Sequence, residues 1–122
     1  MLSQRYRFHS RGGVNYTYQK GKTIRTPSIS LVYNHNSRGR QRFAVVVSKK
    51  VLKSAVGRNA IRRRVYEALR LELPNYREPM DNIFVIYSKD IRTMSFSELR
   101  RLIRELMDRS LTAYDPKSHH SK

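Results

Sequence analysis

Apolar side chains along this chain follow two rhythms, and the switches between them mark out the elements. Ile29, Leu31 and Tyr33 alternate with Ser30, Val32 and Asn34, the period-two pattern of a strand with one more apolar side. Phe43-Ala44-Val45-Val46-Val47 and Ile83-Phe84-Val85-Ile86-Tyr87 are unbroken apolar runs too short for helices, as expected of central strands covered on both faces. Between them, Ile61, Val65, Ala68 and Leu69 recur at helical spacing and share an arc of roughly 100° on a helical wheel. The opposite arc carries Asn59, Arg62, Arg63, Tyr66 and Arg70, with Arg58 near the apolar edge. Ser54 is placed to cap this helix and Pro74 to end it. Strand, helix, strand in that order predicts a parallel βαβ unit. A last helix opens at Ser95-Phe96-Ser97-Glu98, a capping box, and carries Phe96, Leu99, Leu102, Ile103, Leu106 and Met107 as its apolar stripe.

Weaker signals fill the gaps. Residues 14–19 predict a short helix between Ser10 as N-cap and Gly21 as stop, with Val14 and Tyr18 sharing a face four residues apart. Residues 34–40 read as a polar hairpin loop containing Gly39, and residues 75–82 as a second loop. Residues 1–12 predict an extended basic arm in which Arg5, Arg7 and Arg11 interleave with Tyr6, Phe8 and His9. Its rings either stack on bases or tuck against the core. Residues 1–114 then form one domain, and residues 115–122 are expected to be a disordered tail.

Composition sharpens the picture through charge. The 122 residues suit a single domain large enough for a core without metal or disulfide staples, and the chain has no cysteine. Lys and Arg number 26 against 9 Asp and Glu, a net charge of +17. Residues 1–66 hold 16 basic residues and no carboxylate, so almost all the excess lies in the first half. Repulsion of that size costs stability, so a neutralising polyanion is expected, nucleic acid first and an anionic membrane surface a distant second. No window approaches the ~20 apolar residues of a membrane span, and the start leads into no signal-peptide run, which predicts a cytoplasmic protein with no membrane partner.

The same residues argue against a protein active site. A metal-dependent nuclease needs clustered carboxylates, and Glu98, Glu105 and Asp108 read as solvated helix charges. His9, His35, His119 and His120 sit in an arm, a loop and a tail, where nothing packed holds a pair as acid and base. No P-loop, HExxH or nucleophile elbow occurs. Binding remains: guanidiniums for phosphate, the Asn59 amide for an edge or backbone contact, and the Tyr66 ring for stacking. Lys49, Lys50 and Lys53 extend that basic face ahead of the helix.

At Ala55-Val56-Gly57-Arg58-Asn59-Ala60-Ile61-Arg62-Arg63, preceded by Val47-Ser48-Lys49-Lys50, the sequence resembles the protein component of bacterial ribonuclease P. The likeness extends over nearly the whole chain. It implies an α+β fold, an α/β sandwich similar to ribosomal protein S5 domain 2, with a mixed β-sheet in the order α-β-β-β-α-β-α. It also implies a left-handed βαβ crossover, against the overwhelming right-handed preference. The implied activity is Mg²⁺-dependent endonucleolytic removal of the 5′ leader from precursor tRNA, with the RNA subunit catalytic and holding most of the metal. The implied partners are ribonuclease P RNA, one protein to one RNA, and precursor tRNA. Arg58, Asn59, Arg62 and Arg63 match the family's motif positions, while Val14, Tyr18, Ser30 and Val32 match positions that line a leader-binding cleft. Ala60 stands where the family usually has a second Arg, and Tyr66 where it often has Arg. The competing reading is a structural RNA-binding protein of ribosomal type with no role in cleavage.

Overall fold

The structure is a computed structural model that describes residues 2–8 and 11–113; His9, the expected cap Ser10, Tyr114 and the expected tail at 115–122 lie outside the described residues. Both apolar runs become strands, Arg42–Val47 (β3) and Met80–Ile86 (β4), paired in parallel. On the other flank of β4 lies Ile29–His35 (β2), antiparallel, and outside it Lys22–Arg25 (β1). The resulting sheet has the order β1-β2-β4-β3. Helix α1 (Arg11–Lys20) precedes β1, α2 (Ala55–Glu72) connects β3 to β4, and α3 (Phe96–Ala113) closes the described chain. This is the mixed α+β architecture that the resemblance implied.

Several details differ from the sequence reading, each for a physical reason. β3 is an edge strand, because β4 inserts between it and β2. Residues 34–40 are therefore no hairpin; the turn, with Gly39 at φ +74°, joins strands that do not pair. β4 starts at Met80, inside the expected loop, because its polar first residues find distant partners. Asp81 receives two hydrogen bonds from Arg42 at 2.8 Å and one from Asn36 at 2.8 Å, and Asn82 donates to Gln41 at 2.7 Å. The N-terminal segment is docked along the body. Its Arg7 bridges Phe43, the Phe8 N–H donates to the Phe43 carbonyl at 3.0 Å, and Leu2 and Phe8 are buried. Of the two readings of Phe8, burial in the core is the one observed.

Alternation along the strands gives the sheet two distinct faces. One bears Ile29, Leu31, Val45, Val47, Phe84 and Ile86 and packs under α2 and α3. Helix α2 contributes Ile61, Val65, Ala68 and Leu69, as its periodicity predicted, and Ser54 Oγ accepts from the Gly57 N–H at 3.1 Å as its cap. Helix α3 adds Leu99, Ile103, Leu106 and Met107, and Ser95 Oγ accepts from the Glu98 N–H at 3.2 Å. Burying a Leu or Ile side chain contributes roughly 1.5–3 kcal/mol, so this layer fixes where α2 lies. The other face carries three cross-strand rows: Val32–Ile83–Ala44, Ser30–Val85–Val46 and Asn34–Asp81–Arg42. Phe8 and α1 cover only part of it. The chain turns from α1 into β1 at Gly21, where a Cβ would stand 2.5 Å from the Thr17 carbonyl oxygen and 2.6 Å from that of Tyr33.

Candidate nucleic-acid interface

With its apolar arc clamped to the sheet, α2 must present its remaining residues outward. Lys49, Lys50 and Lys53 are exposed in the turn between β3 and α2. Asn59 and Arg63 are exposed on the helix. Arg62 is half-buried and donates to Asn59 Oδ1 at 2.5 Å, which holds both polar groups on one surface. Arg70 is exposed and donates to Glu67 at 2.9 Å through Nε. That pairing holds the Glu67 carboxyl well below the usual range, at about 2. The face from Lys49 to Arg63 therefore carries positive charge with no carboxylate in its own sequence.

Two residues assigned to this face from the sequence behave otherwise. Arg58 turns back and donates through Nη1 to the carbonyls of Leu52 at 2.9 Å and Lys53 at 2.7 Å, so its guanidinium fixes the turn that displays the lysines. Tyr66 is only 9% exposed and belongs to the core. It lies at the border of the apolar arc, where a ring wide enough to reach the sheet is pulled in. Its outer ring face receives the guanidinium of Arg7, 5.3 Å from the ring centre. Burial pushes the phenol upward, opposed by the Val45 backbone and by the charges of Arg7 and Arg62. Arg7 thus joins the α2 face from a segment far away in sequence. Arg64, adjacent to the motif arginines, donates to the carbonyls of Ile91 and Met94 at 2.7 and 2.6 Å and is structural.

On the opposite side of the sheet, Val14, Tyr18, Ser30 and Val32 do come together at α1 and the outer row of β2. They are not equally accessible. Val32 is buried under Val14 and Phe8, and Ser30 is buried with no partner for its hydroxyl among the described residues. Tyr18 is 44% exposed, and burial followed by the nearby Tyr87 phenol raises its pKa. Val46 and Val85 are half-buried on the same sheet face, and Tyr87 is exposed at the end of β4. The sequence reading missed Tyr87, Val46 and Val85; alternation with core residues Phe84 and Ile86 for Val85 and Tyr87, and with Val45 and Val47 for Val46, is the signal that places them on the α1 face.

A sheet with a cationic helix face on one side and a partly covered valine- and tyrosine-bearing face on the other defines a class: small basic α+β proteins with two distinct faces. Comparison with known proteins makes this specific. The family model described as Ribonuclease P matches residues 2–111. The ribonuclease P protein component of Roseiflexus castenholzii is 30% identical over 109 residues, which span 89% of this chain and 88% of the relative. That of Caldanaerobacter subterraneus is 34% identical over 93 residues, 76% of this chain and 78% of the relative. The RNase P protein from Thermotoga maritima superposes with a TM-score of 0.76 at 21% identity, covering 84% of this chain and 96% of that one, a likeness of fold. The chain belongs to the ribonuclease P protein family. Membership makes it a protein component of a tRNA-processing ribonuclease that has an RNA component as partner.

Proposed function

We propose that this protein binds ribonuclease P RNA through the α2 face and the 5′ leader of precursor tRNA in the α1 groove, assisting Mg²⁺-dependent removal of that leader. The observation that carries this reading is the pairing of a cationic surface, carboxylate-free in sequence from Lys49 to Arg63, with a separate valine- and tyrosine-bearing face across the sheet. Lys49, Lys50, Lys53, Arg62 and Arg63 supply phosphate contacts, and Asn59, held by Arg62, supplies an amide. Arg7 adds a guanidinium beside them. In the groove, Tyr18 offers a ring face to a base of the single-stranded leader, over a floor begun by Val46 and Val85. Ser30 lies beside Val85 in that sheet face, and Val14 covers Val32 from α1.

No three carboxylate or imidazole side chains converge among the described residues. The metal and the cleavage chemistry belong to the RNA, with one protein per RNA acting in the cytoplasm. The protein's contribution is charge neutralisation, which lets the RNA and its substrate approach at a lower Mg²⁺ concentration. The test is reconstitution with ribonuclease P RNA and precursor tRNA at low Mg²⁺, scored by 5′ cleavage. Stimulation by the protein is expected; its absence sinks the proposal, and cleavage without the RNA would make the protein a nuclease in its own right.

A further inference from the structure

At the C-terminal end of α2 the chain builds a second basic and aromatic feature that the reading above does not use. The 3-10 turn at Gln4–Tyr6 brings Tyr6, the turn before β3 brings Arg40, and the segment after α2 brings Tyr76 and Arg77. They surround an open pocket of about 430 Å³ above Leu73 and Pro74. Its walls are tied together. Arg40 Nε donates to the Arg5 carbonyl at 2.8 Å, joining the β2–β3 turn to the N-terminal segment. The Arg5 guanidinium lies 5.3 Å from the centre of the Tyr6 ring. The Tyr76 hydroxyl donates to Asp108 at 2.6 Å, which fixes that ring from behind.

Three features indicate the ligand. The half-buried Tyr6 ring over an apolar floor, with the buried Tyr76 behind it, suits a flat, stackable group. Arg40 and Arg77 line the pocket with Arg5 close by, and no carboxylate among the described residues lines it, which suits phosphate. Gln41 also lines it and is only 3% exposed; its Oε1 accepts from Asn82 at 2.7 Å, while among the described residues nothing accepts from its Nε2. That Nε2 is not enclosed: it meets solvent at the pocket, where a ligand can accept from it in place of water. We propose that this pocket takes one unpaired nucleotide of RNA. The base stacks on Tyr6 above Leu73 and Pro74, its edge accepts from Gln41, and its phosphate lies between Arg40 and Arg77. The pocket stands about 27 Å from the Lys49–Lys53 turn, the length of an 18-residue helix. The RNA track thus runs along α2, past Arg7 and Arg70, and ends here.

This inference rests on the RNA-binding reading, so the experiment separates the two. The full-length protein carrying Tyr6→Ala, Arg77→Ala or Arg62→Ala with Arg63→Ala is titrated against ribonuclease P RNA over a range of salt. Tyr6→Ala is expected to weaken binding about tenfold, the loss of one stacked base. Arg77→Ala, at an exposed site, should lower the slope of log affinity against log salt by about 1. Tyr6→Phe should bind as the unaltered protein does. If Arg62→Ala with Arg63→Ala weakens binding while Tyr6→Ala and Arg77→Ala change nothing with either the RNA component or precursor tRNA, the pocket proposal is overturned and the general reading stands. If no variant has an effect, both fall. A loss seen only with precursor tRNA in the holoenzyme, and not with mature tRNA or the RNA component alone, assigns the nucleotide to the leader.

Discussion

The guanidinium of Arg7 stacks on the ring of Tyr66, 5.3 Å from its centre, so the N-terminal segment and α2 are joined by one pair of side chains. Tyr66 is buried on its inner side by the core and covered on its outer side by Arg7. A cation–π contact contributes about 0.5–1 kcal/mol when exposed and about 2 when desolvated. Arg7→Ala should therefore lower stability by about 1 kcal/mol in urea unfolding, and Tyr66→Ala by about 3–5 through the cavity it leaves. In a double-mutant cycle the Arg7→Ala effect should shrink once Tyr66 is gone. Additive losses would show that the two side chains act independently.

Neighbouring arginines on α2 should fail in different ways. Arg62 and Arg63 face solvent on the proposed RNA surface, so replacing both by Ala should leave the melting temperature nearly unchanged. It should flatten the salt dependence of RNA binding, by about 0.7–0.9 in log–log slope for each phosphate no longer neutralised. Arg58 spends its guanidinium on the carbonyls of Leu52 and Lys53, and Arg64 on those of Ile91 and Met94. Arg58→Ala and Arg64→Ala should each cost stability, about 1–3 kcal/mol for carbonyls left without their charged donor. An unchanged salt slope in the Arg62→Ala, Arg63→Ala protein would remove that face from the interface.

Glu72 provides a test by pH. Its carboxylate is 1% exposed and accepts from Arg100 at 2.9 and 2.7 Å and from Arg104 at 3.0 and 3.2 Å, binding α3 to the end of α2. The hydrogen bonds from Arg104 are the main cause that lowers its pKa; burial opposes them, and Arg100 adds to the lowering. A carboxylate with a lowered folded pKa stabilises the protein above its unfolded pKa and loses that contribution as pH falls through the folded value. Stability should therefore decline as pH drops below about 4.5, the unperturbed glutamate value. Glu72→Gln should flatten that part of the profile and lower stability near neutral pH by about 3 kcal/mol. A profile identical to that of the unaltered protein would show that other carboxylates govern the acid limb.

What could be read from the sequence was what local pattern controls. Ile61, Val65, Ala68 and Leu69 gave α2 and its buried arc because each repeats at the helix period. The 14–19 helix was found but runs over Arg11–Lys20, since Gly12 and Gly13 hide its first turn. β1 was not found from the residue pattern, because Lys22-Thr23-Ile24-Arg25 has a single apolar residue and exists only as an edge partner of β2. The start of β4 was hidden because Asp81 and Asn82 read as loop until Arg42 and Gln41 are brought beside them. Tyr66 was misplaced for a related reason: a tyrosine at the margin of an arc turns inward or outward according to what covers it, and here the cover, Arg7, is remote in sequence. The motif position of Arg58 is visible in the sequence, and its acceptors, two backbone carbonyls, are not.

The groove makes the sharpest distinction between substrates. Tyr18 is 44% exposed and close to Tyr87, and Val46 and Val85 are half-buried on the sheet face that α1 partly covers, the proposed leader path. Only precursor tRNA has a leader to place there. Tyr18→Ala should weaken the holoenzyme's affinity for precursor tRNA by about 1–3 kcal/mol, the range for one base stacked on an aromatic side chain. Mature tRNA should bind as before, and Tyr18→Phe should restore precursor affinity because the ring, not the hydroxyl, does the stacking. Equal losses for precursor and mature tRNA would move Tyr18 out of the leader path and leave the groove without an assigned occupant.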